Sequence, residues 1–341
     1  MSTSGRPVVL VAGATPDDAP PGVDAANDRV ELLTAADPEE VGAAIARADA
    51  IFAWRPEATL LEAAWGAAGR VRWLQSASAG VDSLLFPALV RSDVVVTNAR
   101  GVFDEGMAEY TLGLMLCFAK DFAGTLDRQR HAEWKYRYSE PLAGTRLLVV
   151  GAGSIGRAVG RLARACGMHV EGIARSSRAA DDVFEWVGEA RELLDRLPHA
   201  DYVVNVLPHA PHTDRLFGTE AFAAMRSSAR FVNVGRGGTV DEQALIHALE
   251  TGGLAGAALD VFTEEPLPED SPLWGMNNVI VSPHMSGDLV GWERAVVDVF
   301  LDNLDRWLRG ESLHNVVDKA LGYAPANASP PANGAGRVED R

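Results

Sequence analysis

Cysteine is scarce in this chain. Cys117 and Cys166 are the only two in 341 residues, and they do not form a CxxC pair. That spacing excludes a disulfide framework and a thiolate zinc cluster. No other metal-ligating constellation stands out, so no metal is expected. Two buried, inert thiols fit a reducing cytoplasm. No unbroken apolar run reaches about 18 residues, which excludes a membrane-spanning helix. The opening Met1–Pro7 lacks the apolar segment of a secretory signal, so the expected location is cytoplasmic. Positive charge is short as well: 31 Lys and Arg stand against 47 Asp and Glu, a net charge of −16. A phosphate backbone is repelled by such a field, which argues against general nucleic-acid binding.

What is present is a globular composition, 47% hydrophobic and 23% charged, long enough for two domains with proper cores. Pro7–Gly13 reads as a buried strand, Pro38–Arg47 as a helix and Ala50–Trp54 as extended. This alternation continues to about residue 98 and marks a small α/β unit with a parallel sheet. Residues 104–123 read as one long helix with a wide apolar face, which needs cover. From Thr145 a stronger alternation begins, with strands at Arg146–Val150, His169–Ile173, Tyr202–Val206, Arg230–Val234, Gly256–Asp260 and Val279–Ser282. Helices at Ile155–Cys166, Thr219–Met225 and Asp241–Thr251 fit between them, a doubly wound βαβ pattern. A last helix is expected over Asp288–Arg309. Residues 322–341, rich in Ala, Pro, Gly and Asn, are expected to be a disordered tail.

Within Leu147–Gly160 lies Gly151-Ala-Gly153-Ser154-Ile155-Gly156. A GxGxxG between an apolar strand and a helix is a dinucleotide signature. Gly151 permits the tight turn, Gly153 lets backbone approach a pyrophosphate, and Gly156 lets helix and strand pack closely. The helix N-terminus, with the amides of Ser154 and Ile155, offers donors and a positive dipole to the anion. About 20 residues on, NAD-binding turns place a carboxylate for the ribose 2′-OH. Here Ala174 occupies that place, followed by Arg175, Ser176 and Arg178. Arginine and hydroxyl groups suit a 2′-phosphate, so NADP(H) is expected over NAD(H), with NAD(H) still possible.

Three more segments close strands. Arg236 follows one, between glycines that imply a close backbone approach. Asp260 ends the next, with Glu265 in the loop beyond. His284 lies past a third. Ligands of open α/β sheets bind outside the carboxyl ends of strands, so the topology delivers a cation, a carboxylate and an imidazole to the edge that carries the glycine turn. Beside a nicotinamide, that set can do acid–base chemistry on a carbonyl.

With Ser78–Asp82, Ala108-Glu-Tyr110, Leu112–Leu114, Gly151–Gly156, Asn233–Gly237, Asp260–Pro266 and Ser282–Gly287, the chain resembles the D-isomer-specific 2-hydroxyacid dehydrogenases from about residue 8 to 318. That family includes glyoxylate/hydroxypyruvate reductases and phosphoglycerate dehydrogenase. The resemblance implies an α/β protein of two Rossmann-like domains. A doubly wound parallel-sheet cofactor domain, 100–287, is inserted into a smaller flavodoxin-like substrate domain, 1–99 plus 288–321. It implies a hydride transfer between NADP(H) and a small 2-oxo acid or D-2-hydroxy acid. His284 would be the proton donor and acceptor, Glu265 its partner, and Arg236 the group that polarises the carbonyl. Asp260 would hold the nicotinamide carboxamide. The amides at Ala79 and Gly80, with Arg236 and His284, would hold the substrate.

The same resemblance adds Pro208, Val234, Gly235, Ser286 and Gly287, with Arg236, Asp260 and His284, to the cofactor surface. It implies a homodimer formed through 104–123 and 128–134. Trp54 and Trp292 are candidates for narrowing the cleft. No appended regulatory module is expected after residue 321. Two rival readings share the fold: an NAD(P)-binding corepressor-like sensor, and a formate- or phosphite-type dehydrogenase. Glu265 argues against formate chemistry, because relatives with that activity lack the glutamate.

Overall fold

The runs that the hydropathy pattern marks as strands are buried, and they assort into two all-parallel sheets. The structure, a computed structural model, describes residues 5–55 and 58–325. The chain divides into two units: one runs through Val102 and resumes at Val290, and the other is Phe103–Leu289.

The first unit contains β1 (Val8–Ala12), β2 (Glu31–Ala35), α1 (Pro38–Ile45), β3 (Ala50–Ala53), α2 (Ala58–Glu62), β4 (Trp73–Ser76), α3 (Pro87–Arg91) and β5 (Val95–Thr97). Asp37 starts α1 in the expected way: its carboxylate accepts from the amides of Glu39 and Glu40, and Pro38 takes the first helical position. The sheet order β2-β1-β3-β4-β5 is the flavodoxin-like arrangement. Leu10, Ile51 and Leu74 are fully buried in its core.

The second unit contains α4 (Asp104–Lys120), α5 (Phe122–Arg130), β6 (Arg146–Val150), α6 (Ser154–Ala165), β7 (His169–Ala174), β8 (Trp186–Glu189), α7 (Leu193–Arg196), β9 (Tyr202–Asn205), α8 (Thr219–Ala224), β10 (Arg230–Asn233), α9 (Glu242–Glu250), β11 (Gly256–Leu259) and β12 (Val279–Val281). Its order is β12-β11-β10-β9-β6-β7-β8, the doubly wound dinucleotide-binding topology with one extra strand. Side chains alternate between the two faces, as the period of a strand requires. Leu148 and Val150 of β6, Val203 of β9 and Phe231 of β10 enter one core. Leu147, Val149, Val204 and Val232 enter the other. Helix α10 (Trp292–Arg309) returns the chain to the first unit. A buried polar chain ties α10 to the sheet there: Trp73 Nε1 donates to Thr97, Thr97 to Gln75, and Asn303 Nδ2 to the same Gln75 oxygen.

Several expectations need adjustment. The helix expected over 104–123 is two helices. Asp121 adopts a left-handed conformation (φ 48°), and its carboxylate accepts from Gly124 N and Arg137 Nε. An aspartate that caps a new helix breaks the run although the apolar pattern continues through it. The edge strand β8 was not anticipated from the sequence. Helix α10 starts at Trp292 rather than 288, after Gly291 at φ 88°. Of the expected tail, residues 322–325 are packed: Ala324 belongs to the first unit's core, and Arg100 Nη1 donates to Pro325 O. Residues 326–341 lie outside the described residues. Cys117 and Cys166 are free, and burial pushes the Cys117 thiol up, toward its unreactive protonated form. Among the described residues no helix is long and apolar enough to cross a membrane, and no cluster of His, Cys, Asp or Glu is arranged to hold a metal.

Candidate active site

The glycine turn between β6 and α6 has the shape its sequence predicts. Gly151 sits at φ +108°, and a Cβ there would stand 2.9 Å from Val206 Cγ2. A Cβ on Gly156 would stand 2.2 Å from Gly151 O, so only glycine lets the helix seat on the turn. Gly153 differs: its missing Cβ points into open space, with no atom within 4 Å. That is room for a ligand. Gly153 caps α6 and, lacking a side chain, makes no cap bond of its own, and a helix N-terminus of this kind is a ready anion site. The residues therefore fit a dinucleotide. Arg175 and Ser176 lie on the exposed loop directly after β7. Arg178 is turned back: its Nη2 donates to Ala152 O at 3.0 Å and its guanidinium lies over the Phe184 ring. It braces the glycine turn itself.

Strands β10, β11 and β12 are parallel neighbours, so the loops after them emerge at one edge, with the glycine turn after β6. The loop after β12 carries His284 at φ +51°, a left-handed conformation rare for a side-chain-bearing residue. Asp260, at the end of β11 and fully buried, holds it there. Its backbone carbonyl accepts from His284 N. Its carboxylate accepts from Ser282 Oγ (2.6 Å), Met285 N (3.0 Å) and Ser286 N (2.9 Å). A strained residue persists only where its surroundings over-determine it, and these four bonds do so. The carboxylate expected to hold a carboxamide thus also organises the histidine loop.

Glu265 Oε1 accepts from Phe262 N at 2.9 Å, and Oε2 faces His284 Nδ1 at 2.7 Å. The hydrogen bond that Glu265 accepts from His284 is the main influence that raises the His284 pKa. Burial and the Arg236 charge oppose it, while the charges of Glu265 and Asp260 add to it. Burial raises the Glu265 pKa, but the bonds from His284 and Phe262 and the charges of His284 and Arg236 outweigh that and hold it below the usual carboxylate range. The result is a charge-assisted imidazolium–carboxylate pair with Nε2 left for proton transfer.

Arg236 stands in the loop after β10, half-buried, with Nη1 donating to Gly235 O. Both flanking glycines are dictated by contact. A Cβ on Gly235 would meet Leu207 O at 2.7 Å, and one on Gly237 would meet Phe262 O at 1.8 Å. Pro208 lies in the loop after β9, its carbonyl accepting from Thr213 Oγ1. Val234 is buried, and Gly287 packs against Phe103 and Met107.

Ala79 and Gly80 belong to the first unit, past β4. Asn98 Nδ2 donates to Ala79 O and Ser78 Oγ to Gly80 O. Trp54 and Trp292 stack on each other, centroids 5.7 Å apart and planes 14° apart. What the sequence reading passed over is the polar support under these loops: Asn98 in one unit, and Asn205, Asn233 and Thr239 in the other. The available signal was a polar residue ending an otherwise apolar strand, twice as asparagine.

The family model for "D-isomer specific 2-hydroxyacid dehydrogenase, NAD binding domain" matches residues 112–286. The chain belongs to the D-isomer specific 2-hydroxyacid dehydrogenase family. This places it among the nicotinamide-dependent oxidoreductases. This dehydrogenase is 34% identical over 257 residues, 74% of its length, to a D-3-phosphoglycerate dehydrogenase of Methanocaldococcus jannaschii, of which it spans about half (48%). It is 34% identical over 256 residues, 73% of its length, to a glyoxylate/hydroxypyruvate reductase B of Salmonella paratyphi A, covering 78% of that protein. Among solved structures it resembles an NADPH-dependent glyoxylate/hydroxypyruvate reductase of Sinorhizobium meliloti in complex with NADP and sulfate. There the TM-score is 0.80 with 27% identity, covering 93% of this chain and 100% of that one.

Proposed function

We propose that this dehydrogenase reduces a small 2-oxo acid of the glyoxylate or hydroxypyruvate type to the D-2-hydroxy acid, with NADPH preferred. The observation that carries the reading is the 2.7 Å His284–Glu265 pair, within the electrostatic reach of Arg236, at the strand edge that bears the open glycine turn. A bound nicotinamide supplies the hydride. The chain's own residues do the rest. Glu265 keeps His284 protonated and fixes its ring, so that Nε2 gives a proton to the carbonyl oxygen as the alcohol forms, and takes it back in the reverse direction. Arg236 draws electron density toward that oxygen and orients the carboxylate with its fork of donors. The amides of Ala79 and Gly80 would hold a carboxylate as an anion nest, on a segment whose carbonyls are fixed by Asn98 Nδ2 and Ser78 Oγ.

The NADPH preference rests on Ala174 ending β7 without a carboxylate, on the cation and hydroxyl that follow, and on the NADP-bound relative. Gly151, Gly153, Ser154, Ile155 and Gly156 would hold the pyrophosphate, and Arg175 and Ser176 the 2′-phosphate. Pro208, Val234, Gly235, Asp260, Ser286 and Gly287 line the remainder of the reading's cofactor surface. The test is NADPH consumption against glyoxylate, hydroxypyruvate and 2-ketogluconate. Turnover that His284→Ala abolishes supports the reading. Tight cofactor binding without turnover of any 2-oxo acid replaces it with the sensor.

We further propose a homodimer. Phe122 and Leu126 of α5 are 48% and 52% exposed, and Trp134, Tyr136 and Tyr138, which follow it, are 80% exposed or more. An apolar surface of that extent on one stretch marks an interaction site, and a twofold pair is the commonest cover. Sedimentation of the intact chain at micromolar concentration tests it, and a purely monomeric species overturns it.

A further inference from the structure

Two neighbouring strands of the cofactor unit, β9 and β10, are apolar until their last residue, which in each is an asparagine. Asn205 and Asn233 are register partners and are buried to within 1%. Their side chains meet, Asn205 Nδ2 donating to Asn233 Oδ1 at 2.9 Å. The same Nδ2 donates to Thr239 Oγ1 at 2.7 Å, and Thr239 is fully buried. Leu207 N donates to Asn205 Oδ1. The cluster converges on one residue. Asn233 Oδ1 accepts from Gly235 N, the amide before Arg236. Asn233 Nδ2 and Thr239 Oγ1 both donate to the Arg236 carbonyl, at 3.3 and 2.6 Å. One asparagine thus grips the Val234–Gly235 peptide, one step before Arg236, and the carbonyl of Arg236 itself, and the threonine reinforces the second. The fold alone does not ask for this. Apolar side chains would end these strands without the desolvation that buried amides carry. A fully satisfied buried network rigidifies and specifies one local geometry. Here the geometry specified is that of the Arg236 backbone, from which its Cα–Cβ direction follows.

We infer that Asn205, Asn233 and Thr239 are positioning residues that aim the Arg236 guanidinium at the substrate. The inference rests on the reading of Arg236 as the group that orients the 2-oxo acid. Thr239→Val removes the hydroxyl while keeping the shape, and Thr239→Ser restores it. With glyoxylate and NADPH, Thr239→Val is expected to lower kcat/KM by tenfold to about a hundredfold, the scale of a misaligned contact. NADPH affinity is expected to fall far less than kcat/KM, because the glycine turn that would hold the pyrophosphate is outside the network. Thr239→Ser is expected to recover most of the loss. A merely structural role would lower stability and NADPH affinity in step with kcat/KM, without recovery in Thr239→Ser, and that outcome overturns the inference. So does wild-type kcat/KM in Thr239→Val when Arg236→Ala is inactive. Full activity in Arg236→Ala instead overturns the reading of Arg236, and the inference with it. If Thr239→Val does not fold, Thr239→Ala carries the same comparison.

Discussion

Gly237 is the point where the two halves of the proposed catalytic set touch. It follows Arg236 directly, and its α-carbon rests on the Phe262–Thr263 peptide; the N–H of the same Phe262, one peptide earlier, donates to Glu265 Oε1 at 2.9 Å. A Cβ at 237 would stand 1.8 Å from Phe262 O, 1.9 Å from Phe262 C and 2.5 Å from Thr263 N, where ordinary contact begins at 3.4 Å. Gly237→Ala must therefore part the segments by about 1.6 Å, the difference between 3.4 and 1.8, and neither neighbour is a flexible side-chain tip. Overpacking of this kind costs about 1–3 kcal/mol of stability. A misplacement on the ångström scale costs about a hundredfold in rate, or about 2.7 kcal/mol of barrier. The expected protein melts cooperatively at a lower temperature and binds NADPH nearly as well as the parent. Its kcat/KM for glyoxylate falls a hundredfold or more in an NADPH-absorbance assay. Gly153→Ala is the matching control. Its Cβ meets nothing in the protein but intrudes where a pyrophosphate would lie, so stability stays and NADPH affinity is lost. A folded Gly237→Ala protein with parental kcat/KM would refute the coupling of Arg236 to Glu265 through the backbone of Phe262.

The pH dependence has a definite sign. Glu265 raises the His284 pKa, so 2-oxo acid reduction, which needs the protonated ring, is full below that pKa and declines as pH rises through it. Glu265→Gln should move the decline to lower pH and depress turnover, as read from kcat/KM against pH; an unmoved limb contradicts the pairing. Arg175→Ala should weaken NADPH much more than NADH, whereas Arg178→Ala, which removes the brace on Ala152 O, should weaken both, as measured by fluorescence titration. Asp260→Asn places an amide against donors from Ser282, Met285 and Ser286. With about 1.5–3 kcal/mol for a bond to a charged acceptor, it should lower the melting temperature and abolish most turnover through His284. Parental values of both would remove Asp260 from that role.

The sheets were legible because strand burial writes itself into composition. Val149, Val203 and Val232 lie in apolar runs that can only be buried strands, and the glycines at 151, 153 and 156 report a left-handed turn, an open approach and a close helix seat in that order. The places where the reading slipped are those where a polar side chain replaces a backbone partner. Asp121 ends α4 by accepting the amide of Gly124, and nothing in the apolar periodicity of 104–123 registers that. Trp186–Glu189 forms an edge strand because β7 offers it a partner at Glu171–Ala174, a fact about a neighbour in space rather than about its own four residues.

The proposed catalytic set divides along the same line. Arg236, Glu265 and His284 stand out as candidates because each lies in a segment that follows a strand, and parallel topology gathers strand ends at one edge. Asp260 was seen as a contact for the cofactor, and its work in holding His284 at φ +51° was not. Periodicity states which side a residue faces. It does not state that Ser282, Met285 and Ser286 will all present donors to one carboxylate across a separation of more than twenty residues. The same holds for Asn205 and Asn233, 28 positions apart and 2.9 Å from each other. A reacting group is chosen by its chemistry and shows as a residue type. The group that aims it is chosen by register between strands, and becomes visible only when the strands are paired.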